Sequence, residues 1–322
     1  MLVAAAMCCA AAAHAAAQLP EVDSFIEEMA ATHHFDRAQL KRWFDQARVQ
    51  EGVLNAMAQP ATARPWYEFR AAHVTEARVQ AGLDYWRRFS RTLARASAQY
   101  GVPAEILVAT IGLETFYGRR TGKMGAFNAL YTLAFHYPPR ADLFRGELEQ
   151  LLLLARELKL NPLRLQGSYA GALGIAQFLP GSYRSYAVDF DRNGTRDLWT
   201  HVDAIGSVAN FYQSHGWQPG APVAIMLEQP LRPVTHQFRK LLDGGLEPRA
   251  TVGAVKQAGG IPEADVADDV RAAVFAADTE SGRRYWLGFN NFYVITRYNR
   301  SVNYALAVDE LARELARARQ VN

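Results

Sequence analysis

ATIGLETFYGRRTGKMGAFNALYTLAFHYPPR, residues 109–140, contains a single carboxylate, Glu114, placed where a helix should be burying apolar side chains. Upstream, Pro103 suits the first turn of that helix and Glu105 complements its N-terminal dipole, while Gly118 suits its end. At 100° per residue, Leu107, Thr110 and Ile111 share a face with Glu114, and Arg119 and Arg120 follow the helix end. A carboxylate on such a face is unfavourable unless it is paired or protonated. Burial raises its pKa, because low dielectric disfavours the charged form. A carboxyl held protonated near neutral pH is what a general acid needs. Spacing alone leaves a plainer alternative open, in which Glu114 ends its helix and pairs with Arg119 or reaches into water.

Outward from this stretch the chain reads as mostly helical. PEVDSFIEEMAATH places Val22, Phe25, Ile26 and Met29 at three-to-four spacing, and VTEARVQAGLDYWRRFSRTLARASAQY, residues 74–100, predicts one long amphipathic helix stopping before Gly101. A further apolar helix covers about Leu143 to Leu158, and Asp142, Glu147 and Glu149 read as its surface charges. DAIGSVANFYQSHGW begins with Asp203, a natural N-cap. After Trp217 the composition shifts to short Val-rich runs broken by Gly and Pro, and VFAADTESGRRYWLGF predicts a hairpin turning at Ser281-Gly282. The resulting division is a leader at 1–17, a helical domain at 18–100, a core at 101–217, a small β-containing domain at 218–288 and a helical return at 289–322.

Half of the 322 residues are apolar and the net charge is +3, with no basic block of the kind that binds nucleic acid. MLVAAAMCCAAAAHAAAQLP has the apolar core and small-residue cleavage zone of a secretory signal, although no Lys or Arg precedes it. The two cysteines, Cys8 and Cys9, fall inside it, so a processed protein has no thiol for a disulfide, a metal or nucleophilic attack. These features predict a soluble periplasmic monomer, with an outer-membrane lipoprotein as the alternative.

Together with the opening stretch, QGSYAGALGIAQFLPGSYRSYAVDFDRNGTRDLW, DAIGSVANFYQSHGW and NFYVITRYNRSVNYALAV resemble the lytic murein transglycosylase B family, in order and from about residue 20 onward. The resemblance implies a lysozyme-like helical core with a flanking helical domain and a small β-containing domain. It implies cleavage of the MurNAc–GlcNAc β-1,4 bond of peptidoglycan glycan strands with formation of 1,6-anhydro-MurNAc ends. Glu114 corresponds to the family's single catalytic carboxyl; Ser168 and Gln177 to groups lining the sugar cleft; Tyr298, Asn299 and Tyr304 to a cluster near that carboxyl; and Arg140 to a substrate contact. Tyr169, Phe116 and Phe178 read equally as core aromatics. Wall synthases or amidases are the candidate protein partners.

DFDRNGTRDLWTHVD, residues 189–203, has the first half of a calcium loop, with Asp189, Asp191 and Asn193 at alternate positions, Gly194 sixth, and Thr195 offering its carbonyl. Thr200 stands where such a loop closes with Glu. In the family it resembles, the loop runs to fifteen residues and its last ligand falls on Asp203. All-oxygen ligands favour a hard cation, and calcium is expected in a structural role that the chemistry does not need. A solvated, turn-rich loop is the plainer reading. Two rival functions remain at this level: a hydrolysing muramidase, and a calcium-dependent wall-binding scaffold without activity.

Overall fold

The computed structural model describes residues 19–58, 64–228 and 235–321, so the leader segment with Cys8 and Cys9 lies outside the described residues. These residues form two compact units, one ending at Arg48 and one beginning at Val49. The first holds α1 (Pro20–His33) and α2 (Arg37–Phe44). Asp36 caps α2 by accepting the Gln39 amide, and Phe25 meets Phe44 edge-on at 5.7 Å. Val22, Phe25, Ile26 and Met29 are all buried, as their spacing predicts.

The second unit continues with α3 (Glu51–Ala58), α4 (Trp66–His73), α5 (Glu76–Arg88), α6 (Ser90–Tyr100) and α7 (Ala104–Thr115). The single helix predicted over 74–100 is in fact two. Phe89 interrupts it at φ −109°, ψ 23°, and turns its ring inward to within 4.7 Å of both Tyr85 and His201. Next come β1 (Met124–Gly125), α8 (Ala126–His136), α9 (Ala141–Glu157), β2 (Gln166–Gly167), α10 (Pro180–Tyr186) and α11 (His201–Ser214). Helix α7 is buried nearly all round and packs against α5, α6, α11 and α15 (Val302–Val321). An apolar helix in that position needs no amphipathic face. β1 and β2 pair antiparallel, Met124 opposite Gly167, and bring the segment after α7 against the residues before Ser168.

The β-containing part is a sheet of β3 (Ala224–Met226), β4 (Ala250–Thr251), β5 (Arg271–Thr279) and β6 (Gly282–Gly288), in the order β3-β6-β5-β4 and antiparallel throughout. With α12 (His236–Leu242) and α13 (Val252–Gln257) it encloses its own core of Leu227, Phe238, Val252, Val255, Val274 and Leu287. The hairpin turns on Glu280-Ser281, one residue earlier than predicted, because Gly282, at φ 106°, already pairs with Thr279. The chain returns through α14 (Asn290–Tyr298) to α15. The architecture is therefore mostly helical, as the sequence predicts.

Candidate active site

Helix α7 ends with Phe116, Tyr117 and Gly118 all in the left-handed region, at φ 48°, 61° and 83°. Two consecutive non-glycine residues there are costly, on the order of 1 kcal/mol each. Burial of Tyr117 holds them in place. Its hydroxyl donates to the Arg78 carbonyl at 2.9 Å, and its ring occupies the space that a Cβ on Gly82 or Gly112 would need. The Phe116 and Tyr117 amides still reach the Gly112 and Ile111 carbonyls, so the helix end is hydrogen-bonded. The turn leaves Glu114 on the last full turn of the helix, half-buried.

Three aromatic hydroxyls from other helices converge there. Tyr304, in the first turn of α15, donates to Glu114 Oε1 at 2.6 Å. Tyr298, at the end of α14, stacks 6.3 Å from Tyr304 and donates to the Ala176 carbonyl. Tyr212 of α11 lies 5.6 Å from Tyr298, ring to ring, and shares a 2.8 Å hydrogen bond with Thr110, one turn before Glu114 on α7. Burial pushes the Glu114 carboxyl from 4.5 up to about 7, with the Tyr304 hydrogen bond acting in the opposite direction. Burial first, and then the charge of Glu114, raises the hydroxyls of Tyr298 and Tyr304, which keeps them as donors.

The pairing of Glu114 with Arg119 is not made. Arg119 and Arg120 instead lie over the Phe116 ring, 5.4 Å from its centre. What results is a carboxyl that still carries its proton in about half of the molecules at neutral pH, with one oxygen held by a phenol that steadies the anion once the proton leaves.

The other sequence-chosen residues divide into two groups. Gln177, at φ 50°, donates from its side chain to the carbonyls of Thr121 and Gly174, and Ser168 Oγ accepts the amides of Ala170 and Ala172. Both are half-buried and shape the backbone between β2 and α10. Asn299 and Arg140 are exposed and stand outside the hydrogen-bonded cluster, and the Arg140 guanidinium lies over Phe144. Phe178 is core, whereas Tyr169 stands 38% exposed. Glu147 is no surface charge: it is half-buried, accepts the Gly181 amide at 2.8 Å, and burial raises its pKa. Sequence spacing does not single out Tyr212. The signal for it is Thr110, a polar residue on the apolar face of Glu114 that needs a partner from elsewhere.

Loss of the Tyr304 hydroxyl has a defined consequence. A hydrogen bond to a charged group is worth about 1.5–3 kcal/mol. Tyr304→Phe is therefore expected to lower kcat by roughly ten- to a hundredfold. Because that bond holds the Glu114 pKa down, the alkaline fall in activity, centred near 7 in the wild type, moves to higher pH. A pH–rate profile of the variant tests both.

In the acidic loop, oxygens of Asp189, Asp191 and Asp203 lie within 4.8 Å of one another. Asp203 is not the N-cap of α11; Thr200 is, accepting the Asp203 amide, and the Asp203 carboxylate turns back into the loop. There Oδ1 accepts the amides of Phe190 and Asp191, and Oδ2 that of Asp197. Asp189 accepts the amides of Asn193 and Gly194, and the Asn193 side chain accepts that of Thr195. Three carboxylates whose oxygens converge form an all-oxygen donor set that fits a hard divalent cation.

Residues 17–313 match the transglycosylase SLT domain family. The chain is 41% identical over 310 residues to membrane-bound lytic murein transglycosylase B of Escherichia coli (strain K12), covering 93% of this chain and 84% of that one. Soluble lytic transglycosylase SltB1 from Pseudomonas aeruginosa superposes with a TM-score of 0.85 at 44% identity, over 94% of this chain and all of that one. The Escherichia coli lytic transglycosylase Slt35 in complex with calcium gives 0.84 at 41% identity, over 94% of each chain.

Proposed function

The chain belongs to the transglycosylase SLT domain family and is a peptidoglycan lytic transglycosylase, and from that premise we propose that Glu114 alone supplies its acid and base chemistry. The observation that carries this reading is the Glu114 carboxyl, raised to about 7 by burial and held at one oxygen by Tyr304. The substrate is the glycan strand, and the bond broken is the β-1,4 link from MurNAc C1 to GlcNAc O4. Glu114 gives its proton to the departing O4. The resulting carboxylate, steadied by Tyr304, takes the proton of the MurNAc C6 hydroxyl as O6 closes on C1. The carboxyl ends the cycle protonated, and no water enters the product.

One carboxyl suffices because the nucleophile belongs to the substrate. An intramolecular hydroxyl has a high effective concentration, and the substrate's N-acetyl group can hold the cationic centre meanwhile. A hydrolase of either stereochemistry needs a second carboxylate, about 5 Å away for retention and further for inversion. The partner that meets Glu114 is the Tyr304 hydroxyl, with Tyr298 stacked behind it, and not a second carboxyl, which supports transglycosylation over hydrolysis. Ser168, Gln177, Tyr298 and Asn299 are assigned to the sugar cleft, and Arg140 to the outer substrate. The backbone ties of Ser168 and Gln177 support cleft-shaping roles.

Calcium is the proposed occupant of the loop formed by Asp189, Asp191, Asn193, Thr195 and Asp203, supported by the donor set and by the calcium complex of Slt35. It would neutralise the three converging carboxylates and brace the loop, without entering the reaction. The periplasm is the proposed site of action. No helix among the described residues is long and apolar enough to cross a membrane.

Mass spectrometry of muropeptides released from purified peptidoglycan tests the reading. Anhydro-MurNAc ends are expected. Reducible, water-added ends would assign the chain to hydrolysis and require a second carboxyl that the present assignment lacks.

A further inference from the structure

The acidic loop and the catalytic helix end are joined by a short run of hydrogen bonds through one strip of backbone. Asp203 Oδ2 holds the Asp197 amide at 2.8 Å. The next residue, Leu198, offers its carbonyl to the Ile175 amide at 2.8 Å. This contact depends on Gly174, at φ 68°, because a Cβ there would lie 2.6 Å from the Leu198 oxygen. The Ile175 carbonyl in turn accepts the Thr115 hydroxyl at 3.0 Å. Thr115 is fully buried and follows Glu114 directly; its oxygen also accepts the Gly118 amide at 2.9 Å, fastening the left-handed turn.

The same strip reaches Glu114 from a second side. The Ala176 carbonyl takes the Tyr298 hydroxyl, and Tyr298 stacks on Tyr304, which holds Glu114. Gly174 also accepts the Gln177 side chain. A separate contact comes from the loop itself. His201 packs on Gly118 so closely that a Cβ there would lie 2.7 Å from its ring carbon. Residues 174–177 thus take their register from the acidic loop at Leu198 and pass it to the Glu114 turn through Thr115.

We propose that Thr115 is a positioning residue that couples the acidic loop to Glu114, so that cation binding at Asp189, Asp191 and Asp203 and glycan binding at the cleft strengthen each other. Such coupling is reciprocal by thermodynamic necessity: whatever factor the cation adds to glycan affinity, the glycan adds to cation affinity. It needs an element that both sites bias, and the strip 174–177, buried at 174–176, is that element. The inference rests on Glu114 being the acid only for its catalytic meaning; the physical link stands apart from it.

Two measurements separate these questions. The first is amide exchange followed by NMR, with calcium chloride as the probe and no sugar present. Calcium is expected to slow exchange at Ile175, which bonds to the loop, and at Phe116, which lies beyond Thr115. In Thr115→Val the Ile175 response persists and the Phe116 response is lost; Thr115→Ser restores it. A Phe116 amide indifferent to calcium in the wild type, or equally responsive in Thr115→Val, overturns the coupling. The second is calcium affinity by calorimetry with and without saturating chitotetraose, on the Glu114→Gln background to prevent turnover. An increase of about fivefold is expected, at the low end of ordinary coupling, and a clearly smaller one when Thr115→Val is added, because the route through Ala176, Tyr298 and Tyr304 remains. Calcium affinity unchanged by bound chitotetraose while the Phe116 response holds overturns the coupling to the cleft and leaves the link from loop to helix end, whereas undiminished turnover by Glu114→Gln overturns the Glu114 assignment alone.

Discussion

Glu114→Gln leaves the protein folded and able to bind glycan strands but lowers anhydro-muropeptide release by at least about a thousandfold. General acid–base assistance contributes roughly 10²–10⁴-fold at each proton transfer it serves. Here one group serves two: protonation of the departing O4 and deprotonation of the C6 hydroxyl. Glutamine retains an oxygen that can accept the Tyr304 hydroxyl, so the cluster stays assembled and the loss is chemical. The same substitution carries a second signature. A carboxyl raised from 4.5 to about 7 on folding stabilises the native state fully only below 4.5. That contribution is lost as pH rises through about 7, because the unfolded chain ionises where the folded chain resists. The difference above pH 7 is about 3 kcal/mol at this shift. The variant, with nothing to ionise, should melt several degrees above wild type at pH 8 and near it at pH 4. Turnover assays on purified peptidoglycan and thermal melts at the two pH values check both effects. Undiminished turnover would remove Glu114 from the mechanism, and an unchanged melting temperature at pH 8 would mean that the carboxyl is not held neutral by its surroundings.

That trade between stability and activity explains why the catalytic carboxyl is visible in sequence while its surroundings are not. A lone acid among Leu107, Thr110 and Ile111 breaks the local pattern of a buried helix, and such a break points to function. The residue that holds it, Tyr304, is 190 positions away, and nothing in its own helix marks it as facing Glu114. Motif resemblance nominates Tyr304 and Tyr298; only packing reveals Tyr212 and the buried hydrogen bond to Thr110. The helical architecture is legible for the reason that Glu114 is: long stretches keep one periodicity. The departures occur where tertiary contacts override it, as at Phe89, turned toward Tyr85 and His201, and at Glu147, drawn in by the Gly181 amide. Asp203 shows the same limit. As a residue near a helix start it reads as a cap, yet Thr200 takes that role and frees the carboxylate for the loop behind it.

Removal of that carboxylate has the second large effect. Asp203 is fully buried, and its two oxygens accept three backbone amides, from Phe190, Asp191 and Asp197. In Asp203→Ala those donors lose a charged acceptor in a site with little access to water. Hydrogen bonds to charged groups are worth about 1.5–3 kcal/mol each, and a shared acceptor gives less than the sum. A loss of about 3–5 kcal/mol is expected, which lowers the melting temperature by on the order of 10 °C. Asp203→Asn is no conservative escape. Oδ1 and Oδ2 both face amide donors, so either orientation of the carboxamide sets its NH2 against a backbone N–H. Asp191→Ala is the informative contrast. Asp191 is exposed and, among the described residues, accepts from Asn193 alone, so its loss should scarcely move the melting temperature without metal. It should nonetheless abolish the rise that added calcium gives the wild type, since a ligand stabilises only the state that binds it. Melting curves of the three variants with calcium chloride or with chelator separate the two roles. Equal destabilisation by Asp203→Ala and Asp191→Ala in chelator would show that Asp203 matters as one more cation ligand, and not as the acceptor that folds the loop.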